Sequence, residues 1–203
     1  LGDEGGRIVV CGTVNTGAEY TMPASKGTVT ITATDGKMTF PLGKIVFGTT
    51  LTLGGDTILD RVTLSTSTGV LACGGHNVIF GKDLKTVGSI ILVGGYNVIE
   101  GATVAEASIA RDYTITVNGG DFAYFRVGNR RVTGKAPFGN ISGNATFIVN
   151  GGNFTARDDT ANQSAAAGMN EQTGNVSVTI NGGRIYGNLF AVGRAGTNET
   201  EQN

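Results

Sequence analysis

Leu51-Thr52-Leu53-Gly54-Gly55-Asp56-Thr57-Ile58-Leu59, Leu71-Ala72-Cys73-Gly74-Gly75-His76-Asn77-Val78-Ile79 and Ile91-Leu92-Val93-Gly94-Gly95-Tyr96-Asn97-Val98-Ile99 are three copies of one pattern. Gly55, Gly75 and Gly95 stand 20 residues apart. The agreement reaches outward to Leu64, Leu84 and Val104, and includes Ile58, Val78 and Val98. A fixed period of this length marks a repeat architecture, in which each repeat buries its apolar face only against its neighbours. On this reading Leu51, Leu71 and Ile91 form one interior stack, and the three glycines occupy equivalent corners.

A longer form of the repeat follows. Thr114-Ile115-Thr116-Val117-Asn118-Gly119-Gly120-Asp121-Phe122 returns as Thr146-Phe147-Ile148-Val149-Asn150-Gly151-Gly152-Asn153-Phe154 and as Ser177-Val178-Thr179-Ile180-Asn181-Gly182-Gly183-Arg184-Ile185. Polar, Gly-rich stretches such as 128–131 and 158–164 join these copies and read as loops inserted on one side. The repeated segments are short, β-branched and alternate in period two, as Val29, Ile31 and Ala33 do against Thr28, Thr30 and Thr32. Each is bounded by glycine, which admits the positive φ of a tight corner. Only residues 163–169 offer a helical turn. Short strands on a fixed period, with no room for a crossover helix, stack as coils about 4.8 Å apart.

These features predict an all-β fold, a right-handed parallel β-helix (β-solenoid) of roughly seven to nine coils and about 35–45 Å long. The chain is read as one domain over 1–203. Residues 1–50 form the N-terminal cap and first coils, 51–110 the regular coils, and 111–203 the coils with inserted loops.

Composition narrows the function classes. Glycine supplies 34 of 203 residues, charged residues are 15%, and the net charge is -1. With 39% hydrophobic residues the chain has a core to bury and is not a disordered segment. No basic stripe points to nucleic acid or to an anionic membrane surface, and no apolar run reaches the length of a transmembrane helix. The opening residues Leu1-Gly2-Asp3-Glu4-Gly5-Gly6 lack the basic and apolar regions of a signal peptide, and the chain reads as a piece of a larger protein. Two cysteines are too few for a disulfide framework. Cys11 and Cys73 each follow an apolar residue and precede glycine, so both are expected buried and, about three coils apart, unbonded.

The opening Gly5-Gly6-Arg7-Ile8-Val9-Val10-Cys11-Gly12, the Leu53-Gly54-Gly55-Asp56-Thr57 rung and the recurring Asn-Gly-Gly motif resemble the β-solenoid regions of large secreted surface proteins of Gram-positive gut bacteria. These are similar in architecture to the pectin-lyase-like superfamily. The resemblance covers nearly the whole chain and implies a secreted or cell-surface bacterial location. It leaves activity open, since the superfamily includes lyases, hydrolases, adhesins and phage tailspikes.

The residues themselves favour a non-catalytic module. A glycoside hydrolase needs two carboxylates about 5–9.5 Å apart. The best sequence pair is Asp158-Asp159, in a polar loop remote from the sole histidine, His76. Asp60, Asp83 and Glu100 lie near one register without forming a column. No cofactor or metal site is expected, because a zinc site would ask for further His or Cys residues near His76.

The residue after each Gly-Gly pair defines a candidate binding edge: Asp56, His76 and Tyr96, continuing to Asp121, Asn153 and Arg184. Tyr124 and Tyr186 are expected exposed, and with Arg126, Arg130 and Arg131 they mark a second place for a glycan or protein contact. Phe122, Phe154 and Ile185 form an internal stack. Asn77 and Asn97, and Asn118, Asn150 and Asn181, read as structural ladders. Thr-x-Thr pairs also admit ice binding, although threonine is simply a favoured strand residue. The resulting expectation is a monomeric adhesion or stalk module that binds an extracellular glycan or host protein, without nucleic acid and without membrane insertion. The alternative is a pectin-lyase-like lyase or glycoside hydrolase.

Overall fold

The computed structural model describes residues 3–99, 101–131, 139–155, 164–165 and 171–190. They form an all-β structure in which every pair of strands is parallel. An isolated antiparallel bridge joins Thr34 to Thr39.

Two sheets carry the fold. The seven-stranded sheet runs, in spatial and chain order, Gly6–Val9, Val29–Thr32, Thr57–Leu59, Val78–Phe80, Tyr113–Val117, Ala145–Val149 and Val176–Ile180. The nine-stranded sheet runs Thr13–Asn15, Lys44–Val46, Thr63–Ala72, Lys85–Val93, Phe125–Arg126, Ser164–Ala165 and Leu189–Phe190. Glu19–Thr21 and Thr50–Thr52 lie alongside it, the latter paired to the far end of Thr63–Ala72. Each sheet thus takes on strands in chain order as the chain returns, and the stretch expected to cap the rod supplies the first strand of both. A three-stranded sheet, Asp121–Phe122, Asn153–Phe154 and Arg184–Ile185, follows the last three strands of the seven-stranded sheet.

Period-two alternation sends one face of each strand inward. Ile8, Ile31, Leu59, Phe80, Val117, Val149 and Ile180 make one continuous column. Tyr20, Leu51, Leu71, Leu92 and Phe125 make a second on the nine-stranded sheet. One residue before the paired Arg126, Ala165 and Phe190, that line continues to Leu189. Phenylalanines fill the middle of the core. Phe125 stacks on Phe147 with centroids 4.3 Å apart, and Phe122 stacks on Phe154 at 5.8 Å, as the shared register of Phe122, Phe154 and Ile185 predicts.

The period is not a constant 20. Thr57 pairs with Val78, Thr63 with Lys85 and Leu71 with Leu92, spacings of 21, 22 and 21 residues. Leu51 and Leu71 share the interior column as expected, but its third member is Leu92 and not Ile91. Ile91 pairs with Val70 and turns to the other face, where it packs with Val93, Ala123 and Tyr124. A register shift of one residue reverses every side chain; the corners on either side of Val78–Phe80 each add a residue, and a bulge opposite Thr66 and Ser67 takes one back within the ladder.

The third copy departs further. Ile115, not Val98, lies beside Val78; Ile58 pairs with Ile79, and Val98 pairs with Arg131. Leu64 pairs with Thr86, whereas Val104 opens a one-turn helix, Val104–Ala107. Thr103 and Glu106 cap that helix reciprocally: Thr103 Oγ1 accepts from the Glu106 N–H, and Glu106 Oε2 accepts from the Thr103 N–H. Residues 163–169 show no helix where described: Ser164–Ala165 is a strand, and the remainder lies outside the described residues.

Both cysteines are free, as expected, but their environments differ. Cys73 is fully buried, and desolvation pushes its thiol far above the ordinary range; Cys11, expected buried, is exposed on the first return of the chain. Iodoacetamide should therefore modify one thiol per native chain and two in denaturant, since the thiolate is the reacting species. Two thiols modified at equal rates in the native protein would contradict this placement.

Candidate functional site

The two Gly-Gly motifs build two different corners. Gly54 and Gly55 precede Thr57–Leu59 and Gly74 and Gly75 precede Val78–Phe80, both in the seven-stranded sheet, whereas Gly94 and Gly95 precede Asn97–Val98, which pairs with Arg130–Arg131. The Gly74 N–H donates to the Gly95 carbonyl, and the Gly75 N–H to that of Gly94. Gly119 and Gly120, Gly151 and Gly152, and Gly182 and Gly183 lie after the seven-stranded sheet, ahead of the three-stranded one. The single column expected from Asp56 to Arg184 is therefore two. Asp121, Asn153 and Arg184 share a register of their own, and the Asp121 N–H donates to Thr86 Oγ1 at 2.7 Å. The sequence could not separate the corners, because glycine pairs make either one.

At the first corner Asp56 and His76 meet, with His76 Nδ1 3.9 Å from Asp56 Oδ1. Arg111 Nη2 also contacts His76 Nδ1, a partner that sequence reading missed. Both Asp56 oxygens accept from Asn77, from its backbone N–H at 2.9 Å and its side-chain amide at 3.0 Å. The same device recurs where Asp112 accepts twice from Asn144, and those bonds hold the Asp112 carboxyl below the usual range. Asn118, Asn150 and Asn181 are bonded side chain to side chain at 2.9 and 2.8 Å, the structural ladder expected. Asn77 continues the line from Asp56 to the Thr114 N–H, whereas Asn97 does not share its register. The corner thus gathers an acid, an imidazole and a guanidinium, with Asn77 satisfying the Asp56 carboxylate and Arg111 contacting His76.

Tyr96 has a different setting. Its ring lies near Gly74, as does that of His76, although it is Asn77 and not His76 that stands in register beside Asp56. The Tyr96 backbone N–H donates to Asn129 Oδ1 at 2.8 Å, and half-burial raises its phenol above the ordinary value. From there Tyr96 forms one wall of an open groove of about 230 Å³. Tyr20, Glu19 and Thr21 come from the first return of the chain, Thr50 and Thr52 from the second, and Asn97, Ala102 and Glu106 from the segment that leaves the sheets. Sequence reading missed Glu19, Tyr20 and Glu106. They lie 76 or more residues from Tyr96 or outside the repeat registers, and only the stacking brings them together.

Tyr124 and Arg126, expected exposed, are buried. They continue the outward-facing positions of Ile91 and Val93 on the nine-stranded sheet, and the Arg126 guanidinium lies 5.8 Å from the Tyr124 ring centroid. Tyr124 is tied to the groove residue Asn97 through Arg130. Arg130 Nε donates to the Tyr124 hydroxyl at 3.4 Å and Arg130 Nη1 to Asn97 Oδ1 at 2.9 Å. The Asn97 amide in turn donates to Thr50 Oγ1 at 2.9 Å. Tyr186 is half-buried beside the three-stranded sheet, where its hydroxyl accepts from Arg184 Nη1 at 3.4 Å; it is not a lining residue of the groove.

Asp158, Asp159 and Glu100 lie outside the described residues. Asp60 and Asp83 are brought together, the Asp83 N–H donating to Asp60 Oδ1 at 3.2 Å. Arg61 stands 3.7 and 3.5 Å from their carboxylates and neutralises part of that charge. Among the described residues no three His, Cys, Asp or Glu side chains converge as metal ligands, and no helix is long and apolar enough to cross a membrane. Comparison with family models, with curated proteins and with solved structures finds no match.

Proposed function

We propose that the chain is a right-handed parallel β-solenoid module of a secreted bacterial surface protein, akin to pectin-lyase-like repeat regions, and that it binds an extracellular glycan without catalysis. The seven strands of the first sheet correspond to seven coils. The groove between Tyr20 and Tyr96 carries the binding role. Tyrosine presents an apolar face to sugar C–H groups and a polar edge to hydroxyls, and Thr21, Thr52 and Asn97 supply further polar groups. A small number of fixed polar groups in a mostly apolar cleft is the usual composition of a ligand site.

The charge of the groove selects among glycans. Glu19 and Glu106 line it, and none of its described lining residues is basic. Hydrogen bonds from Thr103 hold the Glu106 carboxyl below the usual range, so it stays ionised in mildly acidic surroundings. A neutral saccharide suits this lining, whereas a polyuronate would meet like charge. That weighs against the pectin-lyase-like alternative, which acts on an anionic chain and would need a cationic surface beside its acids.

A glycan array followed by titration calorimetry tests the reading. The expected result is binding to a neutral glycan that Tyr20→Ala and Tyr96→Ala each weaken about tenfold, the loss of about 1.4 kcal/mol. The same glycan should release no reducing ends and no unsaturated products. Turnover of a polyuronate, or binding indifferent to both substitutions, would overturn it.

A further inference from the structure

We propose that the groove prefers a glycan bearing a free, protonated amine, a de-N-acetylated hexosamine, over the same glycan in its neutral N-acetylated form. The inference rests on the glycan reading above and narrows its ligand class. Glu19 and Glu106 line a cleft of about 230 Å³ whose described lining carries no basic side chain. Among the described residues neither carboxylate forms an ion pair with lysine or arginine. Glu106 Oε2 accepts from the Thr103 N–H at 2.7 Å, which leaves Oε1 to a ligand. Two arginines stand beside the groove without lining it. Arg130 and Arg131 pair in the ladder with Asn97 and Val98, and Arg130 is turned to Asn97 Oδ1 and the Tyr124 hydroxyl.

The donors and acceptors of the groove are unequal in the same sense. Among the described lining residues Asn97 alone has a side-chain N–H group, and it donates to Thr50 Oγ1 at 2.9 Å. Carboxylate oxygens and the hydroxyls of Tyr20, Tyr96, Thr21 and Thr52 remain. An ammonium brings three donors and no acceptor, so it fits a lining rich in acceptors, whereas an N-acetyl group adds a carbonyl that asks for a donor. The tyrosine faces also attract a cation through the ring quadrupole. Glu106 and Tyr96 both belong to the stretch that follows the third glycine pair, so contacts in the middle of the chain set their place. A single exposed ion pair contributes little, but two carboxylates and a cation–π contact together give a preference of about tenfold.

Titration calorimetry of the full chain with chitosan tetrasaccharide and with chitin tetrasaccharide, its N-acetylated counterpart, tests the preference at about pH 6, where the amine is protonated. The amine form should bind about tenfold more tightly at low ionic strength, and added salt should shrink that ratio. Glu106→Gln removes the charge while glutamine at that helix position still accepts from the Thr103 N–H, so the cap survives. Combined with Glu19→Gln it should bring the two affinities within about twofold of each other. Tyr96→Ala should weaken both ligands. Tetralysine, cationic but without a sugar ring, should bind no better than the chitin tetrasaccharide. Equal affinities for the two saccharides would overturn the amine preference, and continued sensitivity to Tyr96→Ala would keep the glycan reading. Binding of neither also overturns the preference, whereas the glycan reading falls only if the glycan array yields no ligand. Tetralysine binding as tightly as the chitosan tetrasaccharide would make the occupant a basic peptide and overturn the inference.

Discussion

Phe147→Ala should lower the free energy of unfolding by about 3–5 kcal/mol, the usual cost of truncating a buried phenylalanine. Phe147 is fully buried between its neighbours in the seven-stranded sheet, and its ring stacks on Phe125 at 4.3 Å and 14°. It also stands 6.4 Å from Phe154, which itself packs edge-on to Phe125 at 4.9 Å. Removing one ring therefore opens a cavity that the other two border, and rigid strands on either side limit its collapse. Ile148→Ala, one residue along and half-buried on the opposite face, should cost no more than about 1 kcal/mol. Urea unfolding followed by circular dichroism measures both. Equal losses would mean that the strand's inward and outward faces are assigned wrongly.

The second large effect is expected at Gly88. It lies opposite Thr66 and Ser67, where two residues of one strand face a single residue of the next, and its φ is +88°. A methyl group there would overlap the Thr66 carbonyl oxygen, and an L side chain rarely adopts that backbone conformation. Gly88→Ala should cost about 2–4 kcal/mol, combining backbone strain with displacement of the neighbouring strand. Gly36→Ala makes the comparison: it has φ +93° but open space around it, so it should show the conformational cost alone, about 1 kcal/mol. A Gly88→Ala protein as stable as Gly36→Ala would show that the bulge rearranges freely and does not fix the register of Lys85–Val93.

Much of the fold was legible in local chemistry. β-branched residues in period two can bury one face only as strands, and the alternation of Val29, Ile31 and Ala33 against Thr28, Thr30 and Thr32 was legible from spacing alone; the first three are buried. The recurring Asn-Gly-Gly motif fixed the alignment of the last three strands of the seven-stranded sheet. Identical side chains in identical positions then bond to one another, as Asn118, Asn150 and Asn181 do. The Phe122, Phe154 and Ile185 stack followed from the same alignment.

The sequence determined that the chain is strand-rich, punctuated by glycine corners and stacked on its own repeats, because those properties depend on neighbours within a few residues. Only the tertiary structure decided which corner each glycine pair makes: Gly120, Gly152 and Gly183 adopt a positive φ, whereas in the earlier pairs only Gly74 and Gly75 do. It also decided that Leu92 and not Ile91 enters the core, because two residues added at corners and one taken back by the bulge at Gly88 leave a net shift of one, with no mark on composition. Burial of Tyr124 and Arg126 depends on what lies across the sheet's outer face, where Asn97 and Arg130 bridge to Thr50. The groove has the same origin: Tyr20 and Tyr96 are 76 residues apart in the chain, and the stacking of successive returns brings both to its lining.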